Sequence, residues 1–282
     1  MIRNIAVYFF LGFSTGMLFL SFTSTIRIEK GNSLASEESL VTILRAEELL
    51  DRQIASSFEF APADIRVNLA GSSYSGPEKV SSCSDCFLYP VGKSWALSPS
   101  YVPSVVPSQL PGGGSLTPET RTALSDLFKA ANAAGHYPKI NSAYRSYQTQ
   151  VDTFNYWVDR EVARGKGQAE AEIAANVYSA RPGHSEHQLG TTVDIGCMNC
   201  QAFSRGDQSN VALWEFMAEK GPEYGFVVSY PDGKQELTGY TYEPWHMRYI
   251  GKELALEFAA LDYRNAGNSW YLEKFLRIRY SE

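Results

Sequence analysis

Residues 183–195 read Gly-His-Ser-Glu-His-Gln-Leu-Gly-Thr-Thr-Val-Asp-Ile. The last five, Thr191-Thr192-Val193-Asp194-Ile195, are β-branched at every position but Asp194 and predict a strand entered through Gly190. Upstream of it the pattern is mainly helical. Thr117-Pro118-Glu119 opens a helix, with Pro at the first position, a carboxylate at the positive end, and Leu124, Leu127, Phe128 and Ala131 as the apolar stripe. A second helix is predicted over 147–162, with Val151, Phe154, Trp157 and Val158 on one face, and a third over 169–177 before the Arg181-Pro182-Gly183 break. A short strand over 139–144 lies between the first two. Downstream, 211–220 is helical and strands are predicted over 226–230 and 240–249 around the turn Pro231-Asp232-Gly233. Helical stretches return at 252–261 and 270–276. Residues 97–114, with four prolines and a closing run of three glycines, must be extended loop. Helices first, then short strands, imply an α+β domain: a small antiparallel sheet flanked by helices.

The 282 residues are 44% hydrophobic and 20% charged, which supports a packed core and excludes a mostly disordered chain. Net charge is −6 and no basic block occurs, which excludes broad binding to nucleic acid. Residues 4–26 carry no charge, and 5–22 are almost wholly apolar. As a helix that stretch spans roughly 27 Å, near the thickness of a bilayer core. Arg3 precedes it, Arg27 and Lys30 follow it, and Thr23-Ser24-Thr25-Ile26 gives no small-x-small cleavage signal. We therefore expect residues 1–26 to form a signal anchor, a transmembrane helix that leaves the chain membrane-anchored and extracytoplasmic, or secreted if cleaved. Residues 27–82 read as a stalk or linker with an amphipathic helix over 37–57, and residues 83–282 as the functional domain.

Two segments hold nearly all the metal-capable side chains: 183–194 and Glu243-Pro244-Trp245-His246-Met247-Arg248-Tyr249. His187, Asp194 and His246 offer two imidazoles and one carboxylate. That is the ligand set of a catalytic zinc, with a fourth position left for water, and Glu243 remains free as a general base. In a regular strand Glu243 and His246 would point to opposite faces, so Pro244 or a bulge has to re-aim one of them. A lone histidine is most often a surface or satisfied core residue; finding two of them in segments that also carry Asp194 and Glu243 favours a metal site over that reading.

At these residues the sequence resembles the VanY-like zinc D-alanyl-D-alanine carboxypeptidases, relatives of lysostaphin-type peptidases and the hedgehog signalling domain. The family's Ser-x-His, Gly, Asp and Glu-x-x-His pattern is met by Ser185, His187, Gly190, Asp194, Glu243 and His246. Its upstream block is matched by Ser142-Ala143-Tyr144-Arg145-Ser146 and Gln150. The resemblance covers about residues 87–262. It implies one Zn2+ per chain held by His187, Asp194 and His246, Glu243 as catalytic base, and peptidoglycan stem peptide as substrate, cut at its C-terminal D-Ala. Arg145, by its position in the matched block, is expected to bind the substrate or its oxyanion. Gln150, Ser185, Tyr144 and Trp245 are expected to bind substrate or to orient those that do. Arg181 and Arg248 are further guanidinium candidates, and His184 has no required role. The alternatives are an L,D-carboxypeptidase or endopeptidase on the same polymer, or a non-catalytic zinc-binding recognition module, against which the presence of Glu243 argues.

Cys83 with Cys86 and Cys197 with Cys200 form two C-x-x-C pairs. Outside the cytoplasm disulfides are expected of them, closed locally or cross-paired, with a structural zinc site or free thiols as the alternatives.

Overall fold

The computed structural model describes residues 86–280. The predicted anchor, the stalk with its amphipathic helix, Cys83 and the Cys86 side chain lie outside the described residues. Among the described residues no helix is long and apolar enough to cross a membrane.

The elements follow the order β1 (Val106–Pro107), β2 (Ser115–Leu116), α1 (Pro118–Ala133), β3 (Pro138–Ser142), α2 (Tyr147–Ala163), α3 (Gln168–Ala175), β4 (Thr192–Cys197), α4 (Gln208–Lys220), β5 (Phe226–Val228), α5 (Gln235–Thr238), β6 (His246–Tyr249), α6 (Lys252–Ala260) and α7 (Leu272–Tyr280). Four strands form one antiparallel sheet in the order β3-β4-β6-β5. The expected α+β architecture is therefore present, a small antiparallel sheet among helices.

Local chemistry explains three of the helix starts. Thr117 caps α1 by accepting from the Thr120 N–H, with Pro118 as the first helical residue. Ser146 caps α2 through the Thr149 N–H at 3.1 Å. Asp207 accepts from the Ser209 N–H at 3.1 Å, which starts α4 three residues before its apolar pattern does.

One face of the sheet carries the core. Val193 and Ile195 of β4 and Met247 of β6 pack with Leu124, Leu127 and Phe128 of α1 and with Leu213 and Met217 of α4. Every residue of β4 is buried, so its second face is covered as well. Alternation along the strand sends Asp194 to that second face, together with His246 and Arg248 of β6. The register fixes the pairing: Asp194 lies opposite His246 and Thr192 opposite Arg248.

The strand expected over 240–249 is only four residues long. Pro244 has no N–H for the ladder, and the His246 N–H turns back onto the Glu243 carbonyl at 3.1 Å. The Pro231-Asp232-Gly233 turn does not close a tight hairpin either. It leads into α5, and the chain returns only at His246.

Candidate metal centre

His187 belongs to a buried 3-10 turn, Glu186–Leu189, that ends at Gly190 with φ +72. The long proline-bearing loop pins this turn from outside. Gln188 donates to the Ser98 and Tyr101 carbonyls at 2.9 and 3.2 Å, and the Thr117 N–H donates to Gly190 at 2.9 Å. From inside, His187 Nδ1 donates to the Ala143 carbonyl at 2.7 Å, and the Arg145 N–H donates to the His187 carbonyl at 3.1 Å. The first bond leaves His187 Nε2 with its lone pair directed at Asp194 Oδ2, 3.3 Å away.

Across the β4–β6 pair, His246 Nδ1 stands 3.1 Å from Asp194 Oδ1. The two imidazoles are 5.0 Å apart and nearly perpendicular. His187, Asp194 and His246 each offer one ligand atom, all within 4.8 Å of one another and all buried. Ligands on a tetrahedral zinc at about 2.0–2.2 Å stand roughly 3.3–3.5 Å apart, close to the two histidine–Asp194 spacings and inside the 4.8 Å that bounds the cluster.

Glu243 meets the cluster from one side. Its Oε2 is 3.8 Å from His246 Nδ1, and the side chain is 14% exposed. The bend at Pro244 resolves the expected conflict of faces: Glu243 and His246 are one turn apart, not three positions along a strand. Burial raises the Glu243 carboxyl to about 7, against the pull of His246. Burial also lowers His187, whereas Asp194 is held far below its ordinary value because its histidine partners outweigh desolvation. For His246, burial pulls down but hydrogen bonds to Asp194 and Glu186 push it to about 10.

Arg145 is held by neutral partners. One nitrogen donates to Gln150 Oε1 at 2.8 Å and the other to Ser142 Oγ at 3.2 Å. Gln150 is itself buried and donates to the Ala180 carbonyl at 2.6 Å. Asp194 and Glu243 act on Arg145 only through space. Gln150 thus sets the guanidinium. Ser185 is buried at the start of the His187 turn, and Tyr144 is half-buried beside Arg145.

Other candidates sit elsewhere. Trp245 packs edge-on against Trp214 of α4 and Phe203, on the helix side of the strand. Arg181 pairs with Glu172 at 3.3 Å and lies over Phe154. His184 Nδ1 bonds the Gly92 carbonyl at 2.8 Å and ties down the leading loop. Arg248 is fully buried and donates to Glu186 at 2.7 Å and to the Phe87 and Tyr89 carbonyls at 2.8 and 2.6 Å. It is a structural cation, not a group facing a substrate. Cys197 and Cys200 stand side by side, Cα atoms 5.2 Å apart, the spacing of local C-x-x-C closure.

The structure adds Glu186 to the residues around the cluster. It bonds His246 Nε2 at 2.9 Å, Ser229 Oγ at 2.6 Å and Arg248. Burial opposes its charge, but Arg248, His246 and Ser229 win and hold it at about 2. One signal was available: Arg248 lies two residues after His246 on a strand and so shares its face.

Fold and site together define a metallopeptidase-like centre: a buried two-histidine, one-aspartate cluster with a carboxylate and a guanidinium beside it. The VanY family model, described as D-alanyl-D-alanine carboxypeptidase, matches residues 113–252. The structure of VanYB in complex with D-alanine-D-alanine is 31% identical, with a TM-score of 0.58, and the match covers 67% of this chain and 97% of that one. A mutant of the vancomycin resistance D,D-pentapeptidase VanY in complex with Zn(II) is 32% identical, with a TM-score of 0.57, over 67% of this chain and 98% of that one. A D-alanyl-D-alanine carboxypeptidase of Enterococcus faecalis is 37% identical over 147 residues, 52% of this chain and 53% of the relative. The chain thus spans about half the length of that relative. It belongs to the VanY family.

Proposed function

We propose that the chain is a zinc-dependent D-alanyl-D-alanine carboxypeptidase that removes the terminal D-Ala of peptidoglycan stem peptides. The observation that carries this reading is the convergence of His187, Asp194 and His246 with Glu243 and a guanidinium that bonds no carboxylate among the described residues. Zinc, held by His187, Asp194 and His246, would polarise the scissile carbonyl and make water acidic at that point. Glu243 accepts a proton from the attacking water at a carboxylate oxygen. The water oxygen bonds to the carbonyl carbon, the C–N bond breaks, and Glu243 returns the proton to the departing amine of D-Ala. Arg145, its charge unspent on Gln150 and Ser142, stabilises the oxyanion or grips the terminal carboxylate with paired N–H groups. The surrounding burial keeps bulk water from competing for these charges.

We propose further that the domain works outside the cytoplasm, tethered through residues 1–26, and that Cys197 and Cys200 are oxidised there. Protease accessibility in intact cells tests the first point, and intact mass with and without reductant tests the second.

The deciding assay is incubation of the zinc-loaded full chain with stem pentapeptide and tetrapeptide, with mass detection of released alanine. Loss of the terminal D-Ala from the pentapeptide is expected. Cleavage restricted to the tetrapeptide, or at an internal bond, would overturn the D,D assignment in favour of L,D or endopeptidase activity.

A further inference from the structure

We infer that Glu186 is the positioning residue of the site: it accepts the Nε2 proton of His246 and so turns Nδ1 toward the metal. The inference rests on the zinc reading above. A histidine ligates through one nitrogen only if its other nitrogen carries the proton, and a carboxylate acceptor at that nitrogen fixes the choice. Glu186 Oε2 is 2.9 Å from His246 Nε2, whereas Nδ1 faces Asp194 at 3.1 Å and Glu243 at 3.8 Å. Glu186 is in turn held rigidly. Its Oε1 accepts from Arg248 at 2.7 Å, and its Oε2 also accepts from the Ser229 hydroxyl at 2.6 Å. Arg248 is anchored on two backbone carbonyls, those of Phe87 and Tyr89. His187 gets the same service from a backbone oxygen, Ala143, so that both imidazoles enter the cluster with the proton on the far side.

This network makes an isosteric substitution informative. In Glu186→Gln one end of the side chain accepts and the other donates. Arg248 can only donate, so it claims the amide oxygen. The amide nitrogen then faces His246 Nε2, turns it into an acceptor and moves the imidazole proton to Nδ1, the nitrogen needed by the metal. A residue that merely filled space would tolerate Gln. In Glu186→Gln/Arg248→Met the amide is free to flip, and its oxygen can meet Nε2–H again.

The test measures Zn(II) affinity by competition with a chromophoric chelator, with metal-free melting curves to check folding. Glu186→Gln should weaken binding by about 10–100-fold, the usual effect of losing an orienting partner, and the double variant should bind clearly tighter than the single, recovering to within about threefold of wild type. Glu186→Gln binding within about threefold of wild type would overturn the inference, as would a folded double variant no better than the single. An independent readout needs no variant: imidazole 15N resonances of the zinc-loaded wild type should show His246 protonated at Nε2, and a protonated Nδ1 would refute it. Failure of the wild type itself to bind Zn(II) would instead sink the proposed function, and this inference with it.

Discussion

Glu243→Gln separates the metal from the base. The carboxylate comes no closer than 3.8 Å to His246 Nδ1, and none of the bonds that orient His187, Asp194 or His246 runs through it. Gln has the same volume, so the ligands should stay where they are. Loss of a positioned general base costs about 10²–10⁴ in rate, or roughly 3–5 kcal/mol of barrier. The expected result is a fall in kcat of that size on stem pentapeptide, with Zn(II) affinity unchanged within about threefold. The substitution also removes a desolvated charge. Burial raises the carboxyl from 4.5 to about 7 in the folded metal-free chain. A folded pKa above the unfolded one means that its contribution to stability is complete below about pH 4.5 and lost as pH rises through about 7. Gln carries no such dependence. The metal-free variant should therefore be more stable than wild type near pH 8, by on the order of 2–3 kcal/mol, and no more stable near pH 4. Turnover within tenfold of wild type would refute the base assignment. A collapse of zinc affinity would make Glu243 a ligand instead.

Other outcomes follow from the same geometry. Arg145→Lys keeps the charge but loses the planar pair of nitrogens that bonds Gln150 and Ser142, so kcat/KM should fall about 10²–10³-fold, the cost of one lost oxyanion donor, in steady-state assays. Chelation should lower the melting temperature: zinc at 100 times its Kd adds about 2.7 kcal/mol, or roughly 5–10 °C for a domain of this size, and an unchanged melting curve would contradict the buried metal centre. At Gly112, φ is +92 and an added Cβ would lie 2.0 Å from the Ile140 carbonyl oxygen of β3. Gly112→Ala should therefore cost on the order of 3 kcal/mol in urea unfolding, since backbone and not a mobile side chain has to give way.

Much of this protein was legible in the order of its residues. Proline at the first turn of α1 and the apolar spacing of α1, α2 and α4 follow local rules, and the helices form close to where those rules put them. The β-branched run at 191–195 announces β4, and the donor types at 187, 194 and 246, with a carboxylate at 243, match the ligands and base of a catalytic zinc once the family resemblance sets them in order. Strand length was less legible. Residues 240–249 look like one strand, but a missing N–H at Pro244 and the turn at Glu243 break it, and that break is what brings Glu243 beside His246.

The partners of charged side chains were far less legible. Arg248 and Glu186 are 62 residues apart, and on composition alone each belongs on the surface. The antiparallel register of β4 and β6 and the folding of the 186–189 turn over that face bring them together in a buried chain that runs through His246 to Asp194. Local sequence determined which groups can do chemistry here. Which nitrogen of His246 faces the cluster, which arginine supports the fold and which one is left with its charge unspent were decided only when the sheet closed. Those choices depend on distances between residues that the chain by itself leaves far apart.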